Sequence, residues 1–316
     1  MRLGVQGHRT ERPVIARTGV PVCTGGGLRW YVPLVEAAGL NTPELAIEAI
    51  VGRASGENFP VASLLAPREA RPHLKAIYGF ARMVDTLGDE VEGDRHLLLD
   101  ELEAELDACY DGQPRTLLMR RVADTIEQRD LPREPFARLI EANRIDQERT
   151  RYETWDDVRW YCEHSAEPVG RLVLGIYGRL DEEELVAMSD DVCAGLQLVN
   201  FLQDPPRDLE LGRVYLPLED LARFDVVVDD LAGPLSDRLI DLFRFEAQRA
   251  RELLVPGIAL GKQLGGRIGS SVALFARGGF AALAALERAG WDVFDGRPAP
   301  SKLMLARLTA AELIRR

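Results

Sequence analysis

Polar side chains recur at helical spacing in the segment CAGLQLVNFLQDPPRDLELGRVYLP, residues 193–217. Gln197, Asn200, Asp204 and Asp208 lie at offsets of 0, 3, 7 and 11, which is one face of a helix. The residues beside this stripe are almost all apolar, and a helix that is apolar nearly all round is buried. Because buried carboxylates need cations or hydrogen bonds, the stripe predicts the wall of an internal polar site.

Two prolines interrupt the same segment between its two acids. Pro205 and Pro206 lack the amide donor that a helix interior needs, but a helix loses nothing where it already ends or restarts. Pro205 also biases Asp204 away from helical backbone angles. The sequence therefore predicts a break over residues 204–207 and a short restarted turn carrying Asp208, before Gly212 begins an extended segment. Of the two acids, Asp208 is the one whose carboxylate this break is expected to displace.

A second stripe of the same form occurs upstream, in LKAIYGFARMVDTLGDE, residues 74–90. Its polar members lie at offsets of 0, 4, 7 and 11 and are Tyr78, Arg82, Asp85 and Asp89. Two helices with matching stripes predict the facing walls of a cavity that has acids at one end. Four converging carboxylates are hard oxygen ligands, the type that suits Mg²⁺.

A third segment predicts the apolar part of such a cavity. In WYCEHSAEPVGRLVLGIYG, residues 160–178, Pro168 is expected to kink the helix, and Tyr161 precedes Ser165 by one turn on roughly the same face. Small side chains form a smooth wall there, which suits a long apolar ligand: Ser165, Ala166, Val169 and Gly170.

The remainder of the chain is also helical in character. Apolar residues recur at threes and fours in segments such as FARLIEANRIDQE, and no strand-length alternation or internal repeat occurs. Thr42 and Pro43 form a helix start signal, whereas residues 1–42 are rich in Gly, Arg and Pro without periodicity. We therefore predict a poorly ordered N-terminal extension over 1–42 and one all-α domain over 43–316.

Deletion of residues 1–40 is expected to leave folding and activity intact, because this extension lacks helical periodicity. Far-UV circular dichroism and turnover of the truncated protein test the boundary. A truncated protein that is unfolded or inactive would show that the extension is part of the domain.

Charge and composition exclude several classes of protein. With a formal charge of −12 and a pI near 5.0, the chain lacks the basic face that nucleic acid binding requires. An acidic protein that binds a phosphorylated ligand needs a metal cation between the like charges. The four cysteines show no disulfide or metal-ligand spacing, and neither a transmembrane run nor a signal-peptide core is found. These features predict a cytoplasmic protein with reduced thiols.

Taken together, the motifs resemble those of the squalene/phytoene synthase family. The resemblance rests on two DxxxD motifs, on the Tyr and Arg before the first, on the Gln and Asn before the second and on GRVYLP after it, and it runs from about residue 57 to at least 224. It implies an all-α isoprenoid synthase bundle around a central apolar cavity. It also implies Mg²⁺ as cofactor and a prenyl diphosphate substrate, presqualene diphosphate or farnesyl diphosphate.

The resemblance implies roles for individual residues. The metal ligands would be Asp85, Asp89, Asp204 and Asp208. The catalytic residues would be Tyr161, Tyr78, Arg82, Asp85 and Asp204. The substrate-binding residues would be Phe59, Arg82, Gln197, Asn200 and Arg213, and the aromatic rings that face a carbocation would be Phe59 and Phe201.

Within the family, ENFPVAS, SAEPVGRLVL and NFLQD are most similar to the hopanoid-pathway branch that makes hydroxysqualene from presqualene diphosphate and water. Gln203 supports this, because enzymes that join two prenyl diphosphates usually carry arginine there, and a single diphosphate needs one cation fewer. No GxGxxG motif follows a strand, so we expect capture by water rather than reduction by a nicotinamide.

Two alternatives stay open. One is the condensation of two prenyl diphosphates to presqualene diphosphate or phytoene. The other is a catalytically silent family member that binds prenyl ligands or a partner synthase, because Thr86, Glu167, Arg207 and the two prolines depart from the family pattern. Weak peripheral contact with a membrane is compatible with an apolar substrate, although no segment requires it.

Overall fold

Helices make up most of the described chain, which is residues 65–314 of a computed structural model. Within this range no strand forms beyond one isolated bridge, so the all-α prediction is confirmed. The N-terminal extension, the start of the domain at residue 43 and Phe59 lie outside the described residues. The helices are α1 Arg71–Asp85, α2 Arg95–Tyr110, α3 Leu117–Arg129, α4 Arg133–Glu148, α5 Trp155–Ser165, α6 Glu167–Ile176, α7 Glu183–Gln203, α8 Pro205–Glu210, α9 Leu218–Arg223, α10 Asp237–Leu254, α11 Pro256–Leu264, α12 Gly266–Arg288 and α13 Lys302–Ile314.

Side-chain caps set where several of these helices begin. Asp94 accepts a hydrogen bond from the amide of Leu97 at the start of α2, and Thr116 caps α3 in the same way. At α5 Thr154 and Asp157 form a reciprocal capping box. Such caps satisfy amides that have no partner within the helix, each contributing about 1 kcal/mol.

Helix α7 lies at the centre of the bundle. It packs against α5, α6, α10, α11 and α12. One buried apolar cluster joins α1 to α4 and α6, with the rings of Phe80 and Phe136 edge to face at 5.1 Å. A second cluster joins α5 and α7 to α10 and α12. The stripe on α7 therefore lies where both halves of the bundle meet.

The predicted break in the second acidic motif is confirmed. Helix α7 ends at Gln203, Asp204 leaves helical geometry with φ −119° and ψ 20°, and α8 restarts with the two prolines in its first turn. The amide of Asp208 still donates to the carbonyl of Asp204 at 2.9 Å. The prolines therefore bend the chain without separating the two acids.

The first acidic motif contains an irregularity that periodicity did not predict. After α1 the chain forms one turn of π-helix, Thr86–Glu90, closed by a bond from the Val91 amide to the Thr86 carbonyl. A Cβ atom at Gly88 would clash with the side chain of Asn143 on α4, so any larger residue here would force Asn143 to move. Single π-turns are frequent at functional sites, and this one carries Asp89.

Two helices, α7 and α12, are long and apolar enough to cross a membrane by length and composition alone. More than half of each apolar window is buried inside the bundle, 56% and 67%. Both are therefore accounted for as core helices. Cys109, Cys162 and Cys193 are free thiols, in keeping with the expected absence of disulfides in the described residues.

The pH dependence of stability is expected to follow Glu246 on α10. This side chain is fully buried, and burial, together with Asp220, raises its pKa from 4.5 to about 8 against the opposing effect of Arg249. The folded protein therefore favours the protonated acid, and its stability falls as pH rises from about 4.5 through 8. Glu246→Gln should remove this loss, so the Tm of the variant should exceed that of wild type near pH 9. The expected difference is about 2–4 °C for each kcal/mol of unfolding free energy that the ionised Glu246 costs the wild-type protein.

Thermal unfolding from pH 5 to pH 9 measures this difference. Glu252→Gln is the matched control, because Glu252 is exposed on the same helix. Parallel Tm profiles for wild type and Glu246→Gln would contradict the prediction.

Candidate active site

The two acidic stripes meet at one cavity of about 260 Å³. Asp85 comes from the end of α1 and Asp89 from the π-turn, while Asp204 and Asp208 come from the junction of α7 and α8. All four predicted metal ligands line this cavity, which we call the acidic cavity. The facing walls expected from the two stripes are therefore present.

Most other predicted site residues line the acidic cavity as well. They are Tyr161, Gln197, Asn200, Phe201 and Arg213. Two do not line it: Tyr78, and Arg82, whose guanidinium donates instead to Glu90 at 2.7 Å. The first stripe thus delivers its aspartates, but not its tyrosine and arginine, to the cavity as the structure has it.

A larger, mostly apolar cavity of about 500 Å³ adjoins the acidic one. The small-residue wall predicted from the third segment lines it, and α5 ends and α6 begins at the predicted position before Pro168. Residues shared by the walls of both cavities are Asp85, Ser165, Gln197, Asn200, Asp204 and Arg207. A ligand with a charged head and an apolar chain could therefore occupy both.

A buried carboxylate that sequence reasoning missed organises the floor of the acidic cavity. Asp146 on α4 accepts hydrogen bonds from the hydroxyls of Tyr161 at 2.7 Å and Tyr215 at 3.0 Å, and Arg213 lies 4.0 Å away. Burial raises the pKa of Asp146 to about 6, because desolvation outweighs these favourable contacts. The network fixes the orientation of the Tyr161 hydroxyl at the cavity wall.

The sequence does contain a signal that predicts Tyr215 as a site residue, namely its position two residues after Arg213. The segment after Gly212 is extended, and Val214 pairs with residues 150 and 151 through a single bridge. Side chains two apart in an extended segment point the same way, so Tyr215 shares the direction of Arg213. Asp146 has no comparable signal, because it is one acid on an ordinary amphipathic helix.

Two arginines are paired with the motif carboxylates. Arg213 donates to Asp89 at 2.7 Å. Arg297, from the segment between α12 and α13, pairs with Asp204 at 2.8 Å and contacts Asn200 at 3.3 Å. Gln203 donates to the carbonyl of Pro298 in the same segment. The C-terminal part of the chain therefore closes one side of the site, a contact over more than ninety residues that local spacing could not predict.

The donor set fits Mg²⁺ held jointly by protein and substrate. Burial and the charge of Asp204 raise the pKa of Asp208 to about 7, as expected for crowded carboxylates that lack a cation. Among residues 65–314, no three acidic, histidine or cysteine side chains form a ready-made metal cage. Mg²⁺ usually keeps several waters and binds through one or two carboxylates plus substrate phosphates, so a preformed cage is not required.

Comparisons with known proteins agree with this architecture. The family model for squalene/phytoene synthase matches residues 53–304. The hydroxysqualene synthase of Rhodopseudomonas palustris is 38% identical over 213 residues, 66% of this chain and 71% of that one. The phytoene synthase of Arthrospira platensis is 32% identical over 282 residues, 81% and 90%. The solved structure of squalene synthase HpnC from Alicyclobacillus acidocaldarius aligns with a TM-score of 0.71 at 43% identity, covering 81% of this chain and 99% of that one.

Proposed function

Because the chain belongs to the squalene/phytoene synthase family, we propose that it converts presqualene diphosphate and water into hydroxysqualene and diphosphate. The observation that carries this proposal is the junction of the acidic cavity with the apolar one. A diphosphate would lie against the acidic wall, and the thirty-carbon chain would lie against the small-residue wall.

The chemistry starts at the acidic end. Mg²⁺, bound by Asp85, Asp89, Asp204 and Asp208, would neutralise charge on the departing diphosphate, as family members generally need a divalent metal. Arg213 lies close enough to the same wall to donate to the diphosphate oxygens. Tyr78 and Arg82 stay proposed donors for a substrate-bound arrangement.

Loss of diphosphate leaves a cyclopropylcarbinyl cation, which must meet one water molecule in an otherwise dry site. The stacked rings of Phe201 and Tyr215, 4.3 Å apart, line the acidic cavity and would offer aromatic surface to the cation. Gln197 and Asn200 line both cavities and can orient the water, while the Tyr161–Asp146 pair can accept the proton that it releases.

The choice of branch rests on similarity and on Gln203. The relatives named hydroxysqualene synthase reach 38% identity, against 32% for the phytoene synthase, although the latter aligns over more of the chain. The longer alignment keeps condensation of two prenyl diphosphates as the second candidate. Gln203 favours hydroxysqualene formation, because its side-chain amide donates to the carbonyl of Pro298 and is not available to a second diphosphate.

Incubation of the purified protein with Mg²⁺ and either presqualene diphosphate or farnesyl diphosphate, followed by product analysis, tests the proposal. Hydroxysqualene from presqualene diphosphate supports it. Presqualene diphosphate from farnesyl diphosphate, or phytoene in a parallel incubation with geranylgeranyl diphosphate, would replace it with the second candidate. Absence of product from all three substrates would leave a silent prenyl-binding protein.

We further propose that the protein acts in the cytoplasm, with weak peripheral contact between it and a membrane that holds its apolar product.

A further inference from the structure

Three arginines line the two cavities, and they differ in their partners. Arg213 and Arg297 are paired with Asp89 and Asp204. Arg207 lines both cavities, yet its guanidinium makes no hydrogen bond or ion pair within residues 65–314. The Arg207 guanidinium is therefore a positive charge at the junction that is not hydrogen-bonded to any described carboxylate.

The position of Arg207 follows from the broken motif. Pro205 and Pro206 start α8, so residue 207 lies in its first turn, between the two motif aspartates. Its side chain is exposed to solvent and also lines both cavities. An arginine in this place faces whatever group bridges the acidic and the apolar cavity.

Charge explains why a cation here has value for an anionic ligand. The acidic cavity is lined by five aspartates, Asp85, Asp89, Asp146, Asp204 and Asp208, against Arg207 and Arg213. A diphosphate is repelled by this excess unless cations face it. Arginine also presents a planar fork of donors that matches phosphate oxygens and forms strong charge-assisted bonds.

We propose that Arg207 binds the diphosphate group directly at the junction of the two cavities, and that it does so at the expense of metal affinity. This inference rests on the proposed function of the site. The second part follows because a fixed positive charge beside Asp204 and Asp208 repels a divalent cation held by the same carboxylates. A residue with a merely structural role would not affect the two ligands in opposite directions.

Calorimetric titration separates these effects. Wild type, Arg207→Gln and Arg207→Lys are titrated with Mg²⁺ alone, and then with inorganic diphosphate at saturating Mg²⁺. Arg207→Gln should weaken diphosphate binding by about tenfold or more, as expected for the loss of hydrogen bonds to a charged group. It should at the same time tighten Mg²⁺ binding by about two- to fivefold, because the repulsion is gone. Arg207→Lys should retain part of the diphosphate affinity, since it keeps the charge but not the fork.

Arg244→Gln is the matched control, because Arg244 is exposed on α10 and pairs only with Asp241 among the described residues. The inference would be overturned if Arg207→Gln bound diphosphate as tightly as wild type, or if it bound Mg²⁺ and diphosphate more weakly by the same factor. In either case the proposed function would stand, provided that the wild-type protein binds diphosphate and forms product. A wild-type protein that binds no diphosphate in the presence of Mg²⁺ would overturn both.

Discussion

Asp85→Asn and Asp204→Asn are each expected to lower turnover of presqualene diphosphate by at least about 10²–10³-fold, the scale of losing one preorganised electrostatic contact in an active site. Both substitutions preserve side-chain shape and remove one negative charge from the wall shared by the two cavities. A Mg²⁺ ion held by these carboxylates would then have one ligand fewer, and would be held less tightly where the diphosphate gains charge. Turnover measured across a range of Mg²⁺ concentrations is the test.

Stability should change little in these variants. Asp85 is exposed, and the Asp204–Arg297 pair is open to solvent on the arginine side, with 48% of that side chain exposed. Such pairs contribute at most about 1 kcal/mol. Asp241→Asn, an exposed change on α10, is the control. Near-normal turnover of either variant at limiting Mg²⁺ would disprove the metal assignment, and calorimetry should show weaker Mg²⁺ binding even where no product is measured.

Periodicity predicted the parts of the site that lie on regular helices. The stripe on α7 and Asp85 at the end of α1 reach one cavity because residues three and four apart share a helix face. Proline chemistry predicted the break at Asp204, since that rule depends only on local backbone geometry. These inferences needed no knowledge of tertiary contacts.

The parts that were missed depend on contacts between distant segments. Asp146 becomes important only because α4 places it against Tyr161 and Tyr215, and Arg297 reaches Asp204 from beyond α12. The π-turn arises where Gly88 fits against Asn143, a steric condition that one segment cannot reveal. Arg82, which shares the stripe of Asp85, pairs with Glu90 rather than lining either cavity, because a stripe specifies a direction but not a partner.

Val169→Trp is expected to reduce turnover of the thirty-carbon substrate by about 100-fold or more. Val169 lies on α6 and lines the apolar cavity but not the acidic one. The helix has little room to move away from a larger side chain, because it packs closely on α7: a Cβ atom at Gly170 would clash with the side chains of Ser189 and Cys193. The indole must therefore enter the cavity and displace the apolar chain, and a displacement of about 1 Å can cost 10²-fold in rate.

The same variant distinguishes the two cavities. Binding of inorganic diphosphate with Mg²⁺ should match wild type, because the acidic wall is unchanged, whereas turnover of presqualene diphosphate should fall. Val169→Ala is the paired control, since it widens the cavity and should retain activity, with a stability loss of about 1–3 kcal/mol at most for a half-buried position. If Val169→Trp turns over substrate at the wild-type rate, the apolar chain does not lie along α6. If it loses diphosphate binding as well, the two cavities are coupled more tightly than their separate linings imply.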